Sequence, residues 1–160
     1  MEKELVIYFS VYGTAKIVAE EIAKQRNAEL REIIPEVAYD GNRDHYPALL
    51  RVAQKEHDTN ARPIIKEKLP IEEYDRIYIG YPMWCYTFPM IIYTLFDEYD
   101  FSGKTIIPFN THMGSRDGGT YQTIRELAPK AKVLTGLPVE MSDAERGPAK
   151  AVEKWLKSLN

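Results

Sequence analysis

Leu5-Val6-Ile7-Tyr8-Phe9-Ser10-Val11-Tyr12-Gly13-Thr14-Ala15-Lys16 decides the fold, because it predicts a buried strand, a tight turn and a helix start. Leu5 to Phe9 is a continuous apolar run, typical of a central strand in a parallel sheet that is covered on both faces. Apolar residues then recur at helical spacing from Ala15 to Ala23. Backbone N–H groups at such a helix start carry the positive end of the helix dipole and commonly bind phosphate. The alternative is a purely structural role for Ser10, Gly13 and Thr14, as helix cap and turn.

Length, charge and cysteine content limit the class of protein. The chain has 160 residues, one cysteine and a formal net charge of -3. This length predicts a single domain over residues 1–160. The mildly negative charge argues against nucleic acid as a partner, and no stretch approaches the length of a membrane helix. Since Cys85 cannot form an internal disulfide and the N-terminus shows no secretory signal, we expect a cytoplasmic protein.

Strands and helices alternate along the predicted chain. The predicted strands are 5–9, 28–34, 75–80, 104–109 and, more weakly, 133–137. Helices are predicted from residue 15 onward and over 47–57, 90–97, 120–127 and 148–159, with a long polar connection over 36–73. Such alternation predicts an α/β fold with three layers: a doubly wound, five-stranded parallel sheet of order 2-1-3-4-5 between helices. Ligands of such sheets bind outside the carboxyl ends of the strands, at the switch between strands one and three.

Three unusual loops follow the first, third and fourth strands, so the topology brings them to one edge of the sheet. The phosphate loop (Ser10–Ala15) offers donors for an anion, and the aromatic loop (Tyr81–Pro89) offers flat side chains. The glycine loop (Asn110–Gly119) lets the backbone approach a flat ligand closely. One phosphate and one flat ring system, joined by a polar chain, would satisfy all three loops. Flavin mononucleotide (FMN) has that shape.

These loops resemble those of the flavodoxin family, and more closely its short-chain bacterial branch. The resemblance covers nearly the whole chain, and its motifs are weak singly but specific together. They are Tyr8-Phe9-Ser10-x-x-Gly13, Gly80-Tyr81-Pro82-x-Trp84-x-x-Thr87-x-Pro89, Ser102-Gly103-Lys104-Thr105-Ile106-Ile107-Pro108-Phe109-x-Thr111-His112-x-Gly114-Ser115 and Leu127-Ala128-Pro129-Lys130-Ala131.

The resemblance implies that the three loops bind FMN non-covalently. The implied cofactor-binding residues are Ser10, Tyr12, Gly13, Thr14, Ala15, Pro82, Met83, Trp84, Cys85, Tyr86, Thr111, His112, Gly114, Gly118 and Gly119. Trp84 stands where the resemblance places a residue against the flavin, and its alternative role is a core tryptophan. Cys85 is interpreted as an inert small residue, and its alternative role is a redox-active thiol near the flavin.

The phosphate loop departs from the family's usual Ser-x-Thr-Gly-Asn-Thr. Tyr12 replaces a hydroxyl residue, Thr14 replaces the asparagine, and Ala15 removes the last hydroxyl. These changes leave the backbone N–H donors of the phosphate loop in place. A hydrogen bond to a charged group is worth roughly 1.5–3 kcal/mol, so we expect phosphate affinity to fall by about one or two decades. Lys16 is a candidate cation that would offset part of this loss.

Three functions remain open at this point. The favoured one is an FMN-dependent oxidoreductase that passes electrons to a small planar acceptor such as a quinone, with NAD(P)H as a candidate substrate. Its candidate proton donors are Tyr86 and His112, and the bulky Tyr86 and Phe88 would narrow a substrate pocket or form a homodimer contact. The second function is an electron carrier that docks on redox proteins. The third is a flavodoxin fold that has lost FMN. No metal is expected, because no cluster of ligand residues has metal-site spacing.

Overall fold

The computed structural model describes residues 2–159 and shows strands and helices in alternation. The strands are β1 (Glu4–Tyr8), β2 (Glu29–Glu32), β3 (Arg76–Pro82), β4 (Thr105–His112), β5 (Lys132–Val133) and β6 (Leu137–Glu140). The helices are α1 (Thr14–Arg26), α2 (Tyr46–Asp58), α3 (Ile91–Glu98), α4 (Thr120–Leu127), α5 (Met141–Arg146) and α6 (Ala149–Ser158). Short 3₁₀ helices at Arg43–His45 and Ile71–Glu73 lie in the long connection between β2 and β3.

All strand pairs of the sheet are parallel, in the order β2-β1-β3-β4-β5, with β6 also paired to β4. The predicted order 2-1-3-4-5 is therefore confirmed, with β5 and β6 sharing the fifth position. The register pairs Tyr8 with Gly80 and Gly80 with Phe109, which brings the carboxyl ends of β1, β3 and β4 to one edge. This edge carries the three loops.

Two buried clusters cover the two faces of the sheet, as the continuous apolar strands predict. Leu5, Ile7 and Phe9 of the first strand segment pack with α3 and α4 on one face. Val6 and Tyr8 face the other way and pack with α1, α5 and α6. Side chains alternate between the faces of a strand, so a strand between two helical layers must be apolar at every position.

The fifth strand is broken in two, where the sequence predicts one strand over 133–137. Leu134 N–H donates to the carbonyl of Ile106, 2.9 Å away, so Ile106 faces the fifth strand. The backbone of Pro108, two residues further along β4, also faces the fifth strand. Because proline has no N–H, it cannot donate the next hydrogen bond of the ladder. Pairing resumes only at Leu137, opposite Phe109.

Two strands extend further toward the site than the sequence predicts. β3 continues to Pro82 and β4 to His112, because Met83 N–H still reaches the carbonyl of Thr111 at 2.9 Å. Thr111 and His112 therefore lie on a strand and not in the flexible part of the glycine loop. Helix α5 was not predicted from the sequence. Among residues 2–159, no helix combines the length and apolar character needed to cross a bilayer.

Candidate functional site

A cavity of about 910 Å³ opens at the carboxyl ends of β1, β3 and β4, where all three loops meet. Most of the residues that the resemblance implied line this cavity. They are Ser10, Tyr12, Thr14, Ala15, Pro82, Met83, Trp84, Cys85, Tyr86, Thr111, His112, Gly114 and Gly118. Gly13 and Gly119 lie just outside the lining, as the residues that precede α1 and α4, with φ values of 88° and 81°. Their positive φ angles favour glycine and set the direction of the two helices.

The phosphate loop is built as a set of hydrogen-bond donors. Gly13 N–H donates to Ser10 Oγ at 3.0 Å, which leaves the hydroxyl proton of Ser10 available for another acceptor. Helix α1 starts at Thr14, and no side chain among residues 2–159 caps its first turn. Since the first N–H groups of a helix have no partner within it, this end of the cavity can bind an anion.

An arginine from the long connection lies at the phosphate loop. Arg43 Nη2 donates to Thr14 Oγ1 at 3.3 Å and to the carbonyl of Tyr12 at 3.5 Å. Its other amine, Nη1, is paired with Glu145 Oε1 at 3.1 Å. Lys16, the cation considered from the sequence, is instead exposed on α1 outside the cavity wall. Arg43 thus supplies the positive charge at this end.

The aromatic loop makes a tight turn in an unusual backbone conformation. Trp84 and Thr87 exchange backbone hydrogen bonds of 2.8 and 3.1 Å, and the two residues between them, Cys85 and Tyr86, have φ values of 54° and 66°. Such paired left-handed residues are usually glycine or asparagine, and other residues adopt this conformation at a cost of about 1 kcal/mol each. The turn projects Tyr86 outward, with 83% of its surface exposed.

Trp84 is largely part of the core. Its ring lies 5.4 Å from that of Phe9 and 5.2 Å from that of Tyr39, both in edge-to-face contact, and only 4% of the residue is exposed. It reaches the cavity at its edge. The exposed flat side chain of the aromatic loop is therefore Tyr86, where the sequence emphasised Trp84. The thiol of Cys85 faces the carbonyl of Leu50 at 3.6 Å, and burial raises its pKa, which keeps it protonated.

Buried side chains hold the glycine loop in place by hydrogen bonds to its backbone. Asn110 donates through Nδ2 to the carbonyl of Arg116 at 2.8 Å and accepts a hydrogen bond from the Tyr121 hydroxyl through Oδ1. Thr120 Oγ1 donates to the carbonyl of Asp117 at 2.6 Å and lies 2.7 Å from the Tyr81 hydroxyl. Burial raises the pKa of both tyrosines, so both hydroxyls keep their protons. The loop is attached to the core at both ends.

His112 presents a defined tautomer at the cavity wall. Gly114 N–H donates to its Nδ1 at 2.9 Å, so a neutral ring carries its proton on Nε2. Burial lowers the pKa of His112 below its ordinary value, with Arg116 acting in the same direction and Glu140 and Asp143 opposing it. The residue as a whole is 7% exposed. His112 is thus a neutral group with one N–H to donate.

The whole sequence matches one known family. The sequence profile of the flavodoxin family matches residues 3–159. The chain belongs to the flavodoxin family. A candidate flavoprotein from Bacteroides eggerthii is 30% identical over 99% of this chain and 98% of its own, with a TM-score of 0.82. Another from Bacteroides uniformis is 30% identical over 98% of each chain, with a TM-score of 0.85.

A more distant structure shows the same fold. The flavoprotein from Lactobacillus acidophilus NCFM, solved in complex with FMN, is 24% identical over 91% of this chain and 98% of its own, with a TM-score of 0.73. No curated protein matches the sequence at a comparable level of significance.

Several residues at the site of this flavodoxin-family chain were not predicted from its sequence. They are Val11, Arg43, Tyr46, Leu50, Met113, Ser115 and Met141. Tyr46 and Leu50 are four residues apart on α2, a spacing that places both on one face and could have indicated them. Arg43 and Met141 carry no such signal, because they reach the cavity only through the folding of the long connection and of α5. Among residues 2–159, no group of three or more metal-ligand side chains is placed to hold a metal ion.

Proposed function

We propose that this flavodoxin-family protein binds FMN non-covalently in the cavity and passes electrons through it to a small planar acceptor such as a quinone. One observation carries the proposal: a cavity of about 910 Å³ joins the donor groups of the phosphate loop to the flat side chain of Tyr86. Cofactor and ligand sites in proteins commonly have volumes of about 300–1,000 Å³.

The residues at the phosphate end fit a phosphate group. The Ser10 hydroxyl, the first turn of α1 and the Arg43 guanidinium all face the same part of the cavity. The short hydroxyl side chains that Tyr12 and Ala15 replace are therefore offset by a guanidinium, whose hydrogen bonds to phosphate are among the stronger ones in proteins. This donor set supports retention of FMN over the alternative of a fold that has lost it.

The residues at the other end fit a flat ring with polar edges. Tyr86 offers an exposed aromatic face, and Gly118 has no side chain to separate the glycine loop from the aromatic loop. His112 holds a proton on Nε2 and lies in the cavity wall, where it can donate a hydrogen bond to a ring oxygen or to a substrate. FMN, when bound, supplies the one- and two-electron chemistry, and these side chains position and tune it.

The first experiment is a visible absorption spectrum of the purified protein, taken before and after addition of FMN and passage through a desalting column. We expect a flavin band with resolved shoulders to remain with the protein. Loss of all flavin after saturation would contradict the cofactor assignment.

Turnover then separates an enzyme from an electron carrier. An enzyme reduces a quinone with NAD(P)H when this protein and FMN are the only other components. A carrier shows no such turnover and is reduced only by a separate reductase. The exposed Tyr86 beside the cavity favours the enzyme, because it is placed to contact a planar acceptor.

A further inference from the structure

The phosphate end of the cavity is covered by a turn from the long connection. Arg43 lies in the 3₁₀ helix Arg43–His45 and makes three contacts with the phosphate loop. Its Nη2 approaches Thr14 Oγ1 at 3.3 Å and the carbonyl of Tyr12 at 3.5 Å, and its guanidinium lies 5.7 Å from the centre of the Tyr12 ring. The hydrogen bonds to the phosphate loop and the contact with the Tyr12 ring together position the guanidinium.

Local hydrogen bonds give this turn, residues 40–46, a definite shape. The Asn42 side chain accepts a hydrogen bond from Asp44 N–H at 2.9 Å, and Asp40 accepts one from Asn42 N–H at the same distance. His45 Nδ1 lies 2.7 Å from Asp40 Oδ2. Because these contacts lie within the turn, they shape it without fixing it to the rest of the fold. Arg43 links the turn to both the phosphate loop and α5, and the Tyr46 ring, 6.1 Å from that of Tyr12, contacts the phosphate loop as well.

Glu145 on α5 shares the guanidinium with the phosphate loop. Its Oε1 accepts from Arg43 Nη1 at 3.1 Å, and the two side chains are 43% and 48% exposed. Exposed ion pairs of this kind are weak, about 0–1 kcal/mol. A phosphate monoester carries a charge of about -1.5 to -2 at neutral pH and can take two parallel hydrogen bonds from a guanidinium. A phosphate at the start of α1 is therefore the stronger partner.

We propose that Arg43 is the charge partner of the FMN phosphate, and that Glu145 competes with the phosphate for it. Binding of FMN then exchanges the Arg43–Glu145 contact for an Arg43–phosphate contact and fixes the turn 40–46 over the cavity. This inference rests on the proposed function. It assigns the discrimination between FMN and riboflavin, which lacks the phosphate, mainly to a residue outside the phosphate loop.

The test compares the dissociation constants of FMN and riboflavin, measured by quenching of flavin fluorescence, in Arg43→Gln, Glu145→Gln and the unchanged protein. We expect Arg43→Gln to weaken FMN binding roughly 10- to 100-fold, the range for loss of a charge-assisted hydrogen bond, with riboflavin unchanged. Glu145→Gln removes the competitor, so we expect it to strengthen FMN binding about threefold at low salt and less at high salt.

Arg31→Gln is the matched control. Arg31 also forms an exposed pair, with Glu29 at 3.0 Å, and its side chain is 50% exposed, but it lies on β2 away from the cavity. We expect this variant to bind FMN like the unchanged protein. Arg43→Lys keeps the charge without the planar fork, and we expect intermediate affinity.

The outcomes are distinguishable. Suppose that the unchanged protein binds FMN tightly. If Arg43→Gln then binds FMN equally well, or if its affinities for FMN and riboflavin fall by the same factor, the role of Arg43 is wrong while the proposed function stands. If the unchanged protein binds neither flavin, both are wrong. Circular dichroism and the thermal midpoint establish that each variant is folded.

Discussion

The glycine loop and the turn 40–46 both border the cavity, but they are attached to the molecule in different ways. The glycine loop is held by Asn110, Thr120 and Tyr121, whose hydrogen-bonding groups are buried. The turn 40–46 is attached by the half-buried ring of Tyr46, which packs against the core, and otherwise by exposed polar contacts such as Arg43–Glu145. Buried hydrogen bonds are costly to break, and exposed ion pairs are not. We infer that the ring end of the site is preformed and that the phosphate end can adjust.

The largest effect is expected for Asn110→Ala. This change leaves the Tyr121 hydroxyl and the Arg116 carbonyl without their partner. The loss costs about 1–3 kcal/mol for the buried hydroxyl and less for the carbonyl, which belongs to an exposed residue. We expect the free energy of unfolding, measured by chemical denaturation without flavin, to fall by about 3 kcal/mol. Tyr121→Phe removes only one of these hydrogen bonds and should have about half the effect. A loss below about 1 kcal/mol for Asn110→Ala would show that the loop is not held in this way.

Gly118→Ala tests the contact between the glycine loop and the aromatic loop. A Cβ at this position would lie 2.5 Å from Met83 Cε and 2.7 Å from the carbonyl oxygen of Tyr86. We expect a loss of stability of about 2–3 kcal/mol, together with weaker FMN binding. Gly103→Ala is the control, because φ there is 77° but, apart from Gly103 and its two chain neighbours, no described residue comes within 4 Å of the added Cβ. Equal losses in both variants would attribute the effect to backbone strain alone.

His112 should make stability depend on pH. Burial lowers its pKa in the folded state, so in acid the unfolded chain takes up this proton first. The stability contributed by neutral His112 is therefore complete above the unfolded pKa of about 6.5 and falls as the pH drops below it, by at most about 1.4 kcal/mol per pH unit. His112→Gln should flatten the stability curve in this window, measured by thermal midpoints from pH 7 downward. An unchanged curve would mean that the pKa of His112 is the same in the folded and the unfolded chain.

The smallest effect on stability is expected for the exposed Arg43–Glu145 pair at the turn 40–46. Arg43→Gln and Glu145→Gln should each change the free energy of unfolding of the flavin-free protein by less than about 1 kcal/mol, because the pair is exposed. Chemical denaturation of both variants measures this directly. A loss as large as that of Asn110→Ala would remove the distinction between the two regions.

Much of the fold was predictable because its signals are local. Apolar strands alternate with amphipathic helices, and this pattern together with the right-handed crossover rule leaves few topologies. The three loops could be placed at one edge for the same reason. The structure brings most of the predicted loop residues to one cavity, with Gly13 and Gly119 as neighbours of the cavity rather than part of its lining.

The remaining features depend on contacts between distant parts of the chain. Arg43 reaches Thr14 only because the turn 40–46 folds back over the phosphate loop. Tyr86 rather than Trp84 is the exposed ring, because Cys85 and Tyr86 adopt a conformation that their own preferences disfavour. The break of the fifth strand depends on the direction in which Pro108 faces, which the register of β4 sets.

The short strand β2 has a consequence for solution behaviour. It lies at the edge of the sheet, and three of its four residues, Glu29, Arg31 and Glu32, are charged. An uncovered strand edge can pair with a strand of another molecule and begin aggregation, and charged side chains on a short edge oppose such pairing. We therefore expect the protein to stay free of strand-to-strand association at the high concentrations that spectroscopy and crystallisation require.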